Sequence, residues 1–146
     1  MDYNDIDILL VEDSADDAIL TIRALKKGGL SNKIHHVKDG AEAIDFLYCT
    51  GTFALRNSKE MPRLILLDLK MPKVSGIQVL EKIKADQVFM NIPVVILTSS
   101  KEDPDIKKCY ALGANSYIVK PVESDNFFKA LKDVGFYWLI HNQLPI

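Results

Sequence analysis

Short apolar runs alternate along the chain with longer amphipathic segments. Ile6 to Val11 is apolar apart from Asp7 and is closed by Glu12-Asp13-Ser14. A run without polar alternation predicts a strand buried on both faces, as in a parallel sheet. Leu64-Ile65-Leu66-Leu67 before Asp68 and Val94-Val95-Ile96-Leu97 before Thr98 repeat the pattern, and Ile34 to Val37 and Tyr117-Ile118-Val119 are shorter versions. Helical periodicity fills the intervals. Asp16 to Lys27 carries apolar residues at 18, 19, 22 and 25 and stops at Gly28-Gly29. Gly40 to Tyr48, Ser75 to Ala85 and Asp103 to Leu112 follow, the last ending at Gly113 as a C-cap glycine. Ser124 to about His141 is the fifth helix, with Phe127, Leu131, Val134 and Trp138 on one stripe. Gly135 costs about 1 kcal/mol inside it, so a bend or an early end is expected there.

Five strand–helix alternations with long crossovers predict an α/β fold: a doubly wound, five-stranded parallel sheet with helices on both faces. The 146 residues fit one domain, 1–146, which buries roughly 70% of its unfolded surface. No repeat or second domain interrupts it. Cys49 to Pro62, with Gly51, Asn57, Ser58 and Pro62 as turn signals, is the one long irregular connection. It reads as a solvated loop, with partner contact as the less favoured reading.

Composition removes function classes without naming one. A net charge of −2 with both signs scattered argues against a nucleic-acid module, which carries a concentrated basic face. Cys49 and Cys109 have no metal-type spacing and read as reduced thiols. No apolar run approaches a membrane span and no secretory signal opens the chain, so a cytoplasmic location is expected.

The chemistry collects at the carboxyl ends of the strands. The first ends in Glu12-Asp13, the third in Asp68, the fourth in Thr98-Ser99-Ser100 and the fifth in Lys120-Pro121. Open parallel sheets bind ligands beyond those ends, at the switch point in strand order. In the order 2-1-3-4-5 the first and third strands are neighbours about 4.8 Å apart, which gathers Glu12, Asp13 and Asp68. Clustered carboxylates repel, and protonation, a cation or an ammonium must offset them. A hard divalent ion suits an oxygen-only cluster. Lys120 supplies a fixed positive charge and Thr98 a hydroxyl. The set suits a small, oxygen-rich anion such as a phosphoryl group, whose transfer depends on positioning and charge neutralisation and for which a carboxylate can be the nucleophile. Each residue has a plainer reading: Asp68 as a turn former, Glu12-Asp13 as helix caps, Thr98 as a strand end. Their convergence on one sheet edge favours the joint site.

Leu9-Leu10-Val11-Glu12-Asp13, Leu66-Leu67-Asp68-Leu69-Lys70-Met71-Pro72, Val95-Ile96-Leu97-Thr98-Ser99 and Tyr117-Ile118-Val119-Lys120-Pro121 together resemble the receiver domains of two-component response regulators. The resemblance spans nearly the whole chain and implies a flavodoxin-like receiver fold. It further implies that Asp68 accepts a phosphoryl group from a histidine kinase. Mg²⁺, for which Mn²⁺ substitutes, would be bound by Asp13, Asp68 and the Lys70 carbonyl, with Glu12 acting through water. Lys120 would pair with phosphoryl oxygens, and its bond to Pro121 would be cis. Thr98 and Tyr117 would form the switch. Lys70 and Ser100 flank the phosphoryl position and would tune hydrolysis.

A looser likeness, carried by the long connection and by the aromatic extension at about 135–146, is to single-domain regulators associated with bacterial phytochromes. It implies a light-responsive sensor kinase, an unnamed downstream protein and a homodimer through the fourth helix, fifth strand and fifth helix. Phe136-Tyr137-Trp138-Leu139-Ile140 and Leu144-Pro145-Ile146 carry more apolar surface than one stripe buries, so they either fold back or form a partner face. Two other classes compete. A haloacid-dehalogenase-type phosphatase wants an Asp two residues after its nucleophile, where this chain has Lys70. A receiver-like binding module independent of phosphorylation would not need so complete a site. The expectation is a signalling phosphoacceptor, not an enzyme. His35 and His36 alternate across a strand and cannot share an ion.

Overall fold

Each of the five short runs pairs with its neighbours as a parallel strand in a computed structural model of the chain, which describes residues 7–29, 33–58, 60–71, 74–99, 103–121 and 125–141. The strands are β1 (Ile8–Val11), β2 (Ile34–Val37), β3 (Leu64–Leu67), β4 (Val94–Thr98) and β5 (Ser116–Val119), in the order β2-β1-β3-β4-β5. The helices are α1 (Ala15–Lys27), α2 (Gly40–Tyr48), α3 (Gly76–Ala85), α4 (Asp103–Ala111) and α5 (Asp125–Phe136). The flavodoxin-like fold and its strand order are as expected. Ile6, Pro72, Ser100, Ser124 and Leu144-Pro145-Ile146 lie outside the described residues.

Residue parity in the strands divides the core. Leu9, Val11, Ile65, Leu67, Val94 and Ile96 face α2 and α3, meeting Phe46, Leu47, Leu80 and Ile83. Ile8, Leu10, Leu64, Leu66, Val95 and Leu97 face α1 and α5, meeting Leu25, Phe127 and Leu131. Strands buried on both sides have no reason to alternate, which is why they read as unbroken runs.

Local chemistry moves some boundaries. α1 starts one residue before the expected Asp16, because the Ser14 hydroxyl accepts the Asp17 N–H at 3.2 Å and so caps the helix. α3 opens on a capping box, with Ser75 and Gln78 each accepting the other's backbone N–H. The fifth helix does not run as one α-helix to His141. It changes after Phe136 into a π-helical turn, Tyr137–His141, just past buried Gly135. That turn folds back on the domain. Leu139 is buried, its carbonyl accepts from Arg63 Nη2 at 2.5 Å, and Trp138 Nε1 donates to Ser116 Oγ at 3.1 Å.

Most of the Cys49–Pro62 connection is exposed, as expected of a solvated loop, but two of its side chains are anchored in the core. A 3-10 turn at Gly51–Phe53 buries Phe53, and Arg56 is 6% exposed. The Arg56 guanidinium lies 4.1 Å over the Phe46 ring, Nε donates to the Phe46 carbonyl at 3.0 Å, and Nη1 donates to the Glu60 carbonyl at 2.9 Å. The connection is therefore pinned to α2 from above. Cys49 and Cys109 are both free thiols.

Candidate functional site

The sheet ladder continues one residue past the strands and thereby places the polar residues. Glu12 N donates to the Val37 carbonyl at 3.1 Å, Asp68 N to Val11 at 3.0 Å, and Lys120 N to Thr98 at 2.8 Å. Val11 registers with Leu67, so Glu12 and Asp68 leave the sheet side by side. Oxygens of Glu12, Asp13 and Asp68 all lie within 4.8 Å of one another. Glu12 is 1% and Asp68 6% exposed, whereas Asp13 stands on the open rim. Thr98 is buried at the end of β4, and Lys70, on the exposed side, turns its backbone N–H toward Asp68 Oδ1 at 3.4 Å. Tyr117 is half-buried on β5 and packs against the α2–α3 side of the core. The Lys120–Pro121 bond is cis.

Lys120 Nζ sits 2.5 Å from Glu12 Oε1, 2.9 Å from Asp17 Oδ2 and 3.9 Å from Asp68 Oδ2. Burial by itself would lower the pKa of this ammonium, but its hydrogen bonds to Glu12 and Asp17, together with the charges of Asp68 and Glu12, outweigh that and raise it. Lys120 is thus held firmly charged. Burial, and then the adjacent Glu12 carboxylate, push Asp68 well above the usual carboxylate range, against the opposing pull of Lys120. Such a cluster calls for more positive charge than one ammonium supplies. Three carboxylates with a partly open rim fit a hard divalent cation that keeps waters on one side, so the site supports binding of a divalent metal.

Two residues that shape this site were not singled out in the sequence. Asp17 shares the Lys120 ammonium, yet an acid in the first turn of a helix ordinarily reads as a dipole partner. Gly76 brings α3 against the backbone after β3. Its N–H donates to the Leu69 carbonyl at 2.8 Å, and a Cβ there would meet the Asp68 carbonyl at 2.1 Å. A glycine at the first position of a helix, where it is a poor helix former, was the available signal. Near the site, His36 Nε2 bonds the Glu12 carbonyl at 2.7 Å, while His35 stacks on Phe46 on the other face. The two histidines do point apart.

The family model described as a response regulator receiver domain matches residues 8–132. Response regulator Rcp1 of Synechocystis is 36% identical over 94% of this chain and 92% of its own length. The crystal structure of its Mn²⁺-bound form superposes with a TM-score of 0.84, covering 95% of this chain and 98% of that one. The probable methanogenesis regulatory protein FilR2 of Methanothrix harundinacea is 37% identical over 94% of this chain and 86% of that protein. The bacteriophytochrome response regulator RtBRR is 47% identical in sequence, with a TM-score of 0.78 over 94% of this chain and 82% of that one. The dehalogenase-type reading falls with these matches. The chain belongs to the receiver domains of two-component response regulators, phosphoacceptor modules of phosphorelay signalling that are closely related to the phytochrome-associated regulators.

Proposed function

We propose that Asp68 is the phosphoacceptor, and that the chain passes a signal by protein–protein contact once it is phosphorylated. The observation that carries this is the buried Asp68 carboxylate, flanked by Glu12, Asp13 and the Lys120 ammonium at one sheet edge. An Asp68 oxygen attacks the phosphorus of a phosphohistidine. The new P–O bond forms as the P–N bond breaks, and the imidazole leaves with the electron pair. Lys120 pairs with the phosphoryl oxygens, and the Thr98 hydroxyl donates to them. Tyr117 then turns inward, since a new dianionic group can pull a hydroxyl-bearing strand end into a second packing. Asp13, Asp68 and the Lys70 carbonyl would hold Mg²⁺, with Glu12 acting through water and Mn²⁺ as a substitute. When bound, the ion offsets the carboxylate charge and neutralises the transferring group.

The phosphodonor is a sensor histidine kinase, and the likeness to bacteriophytochrome response regulators supports a phytochrome-type sensor. The domain is a single receiver over 1–146, acts in the cytoplasm on a downstream protein and dimerises through α4, β5 and α5. No described helix is long and apolar enough to cross a membrane.

Incubation with phosphoramidate, followed by intact mass, tests the reading. A gain of one phosphoryl group that requires Mg²⁺ and is lost in Asp68→Asn is expected. If neither phosphoramidate nor a histidine-phosphorylated donor protein transfers while Mg²⁺ is bound, the phosphoacceptor role is wrong and the chain is a binding module.

A further inference from the structure

Lys120 has three carboxylates to choose from and does not favour the proposed phosphoacceptor. Glu12 and Asp17 take its ammonium at 2.5 and 2.9 Å, whereas Asp68 is left at 3.9 Å, beyond hydrogen-bond reach. Glu12 comes from β1's end and cannot withdraw, being 1% exposed and held at its backbone N–H and carbonyl. Asp17 differs. It comes from the first turn of α1, fixed there by the Ser14 cap, and its side chain is 28% exposed.

We propose that Asp17 is a positioning residue for Lys120: it shares the ammonium with Glu12 in the unphosphorylated protein, draws it off Asp68, and yields it when a phosphoryl group arrives. Lys120 must serve the phosphoryl group, as proposed above, for this to matter. The chemistry of the pair suits a holding contact. A charge-assisted hydrogen bond is strong enough to set the resting position of a lysine. Water at a partly exposed carboxylate screens the same pair, so it breaks at small cost once a dianionic competitor stands beside Asp68. Asp17 thereby biases the site against accepting the group without touching it.

Beryllofluoride, a stable stand-in for the phosphoryl group, reads this directly. With saturating Mg²⁺, its affinity is measured by calorimetry for the unaltered chain and for Asp17→Asn, Asp17→Ser, Asp17→Glu and Asp16→Asn. Releasing Lys120 in Asp17→Asn and Asp17→Ser should tighten binding about fivefold or more, the size of a modest coupling between sites. Asp17→Glu, which keeps the carboxylate, should stay near the unaltered value. Asp16→Asn, which removes the same charge from an exposed position on the same turn, should change little. Equal or weaker binding in both Asp17→Asn and Asp17→Ser, with melting curves showing them folded, would overturn the proposal. So would an equal gain in Asp16→Asn, because general charge would then explain it. If the unaltered chain itself fails to bind beryllofluoride, the phosphoacceptor reading falls and this one with it.

Discussion

Asp68 carries the charge conflict of the site in a single side chain. Burial and Glu12 raise its pKa, so in protein stripped of metal by a chelator a buried, charge-crowded carboxyl costs stability. Asp68→Asn keeps the shape and removes the charge. The chelated variant should therefore melt about 2–4 °C above the unaltered protein, the shift ~1 kcal/mol gives at this size. Mg²⁺ should raise the melting temperature of the unaltered protein and much less that of the variant. A variant that melts no higher would show that a proton or Lys120 already neutralises Asp68 in the metal-free protein. Lys70, exposed beside Asp68, belongs to the same scale. As a proposed brake on loss of phosphate, its replacement in Lys70→Asn should shorten the phospho-lifetime several-fold, as followed by mass after the donor is removed. An unchanged or longer lifetime sinks that role. Sequence was most informative here where a residue type had only one sensible use at a strand end, as with Asp68 and Lys120. Asp17 escaped because a first-turn acid has an ordinary helical use, and only the fold brings it against Lys120 from 103 residues away.

β2 and the connection after α2 form a layered element of their own. Arg56, the Phe46 ring and His35 stack in sequence, with Phe53 edge-on to both rings. Burial, then His36, then Arg56 lower the His35 pKa to about 4. The sign follows from linkage. The unfolded chain takes up this proton near pH 6.5 and the folded chain near 4, so the unfolded state binds more protons between them. Stability is full above about 6.5 and is lost as pH falls through that window. In His35→Phe the acid limb of a denaturation–pH profile should flatten between pH 6.5 and 4; a profile that keeps its slope places the titration elsewhere. Arg56→Ala should cost about 1–3 kcal/mol, since it strips a buried guanidinium from the Phe46 ring and from two carbonyls. None of this layering was legible in the sequence. The three buried runs placed β1, β3 and β4 within a residue or two because both faces demand apolar residues. Phe53 and Arg56 sit in a stretch with no period, and an arginine there reads as a surface charge.

At the scale of the molecule, the two edges of one sheet are built differently. The carboxyl ends of the strands carry the acid cluster, and the opposite edge is sealed by the π-helical turn against Arg63 and Ser116. The aromatic extension is thus partly spent within the chain as far as His141, which limits what it can offer a partner. Tyr137 remains 50% exposed on that turn, and Tyr110 is 48% exposed on α4. Half-exposed tyrosines supply the large, low-entropy contacts on which interfaces depend. They stand on or next to two of the elements proposed for the homodimer. Sedimentation equilibrium of the unaltered protein should show a dimer, and Tyr110→Asp should shift it to monomer, because a carboxylate buried at an interface centre goes unpaired. Tyr110 lies outside the acid cluster, so the variant should still take up one phosphoryl group from phosphoramidate. Loss of the dimer with phosphorylation intact would separate assembly from chemistry and locate the interface on α4. A monomeric unaltered protein, before and after phosphorylation, would remove the homodimer and leave the α4–β5–α5 side for a different partner.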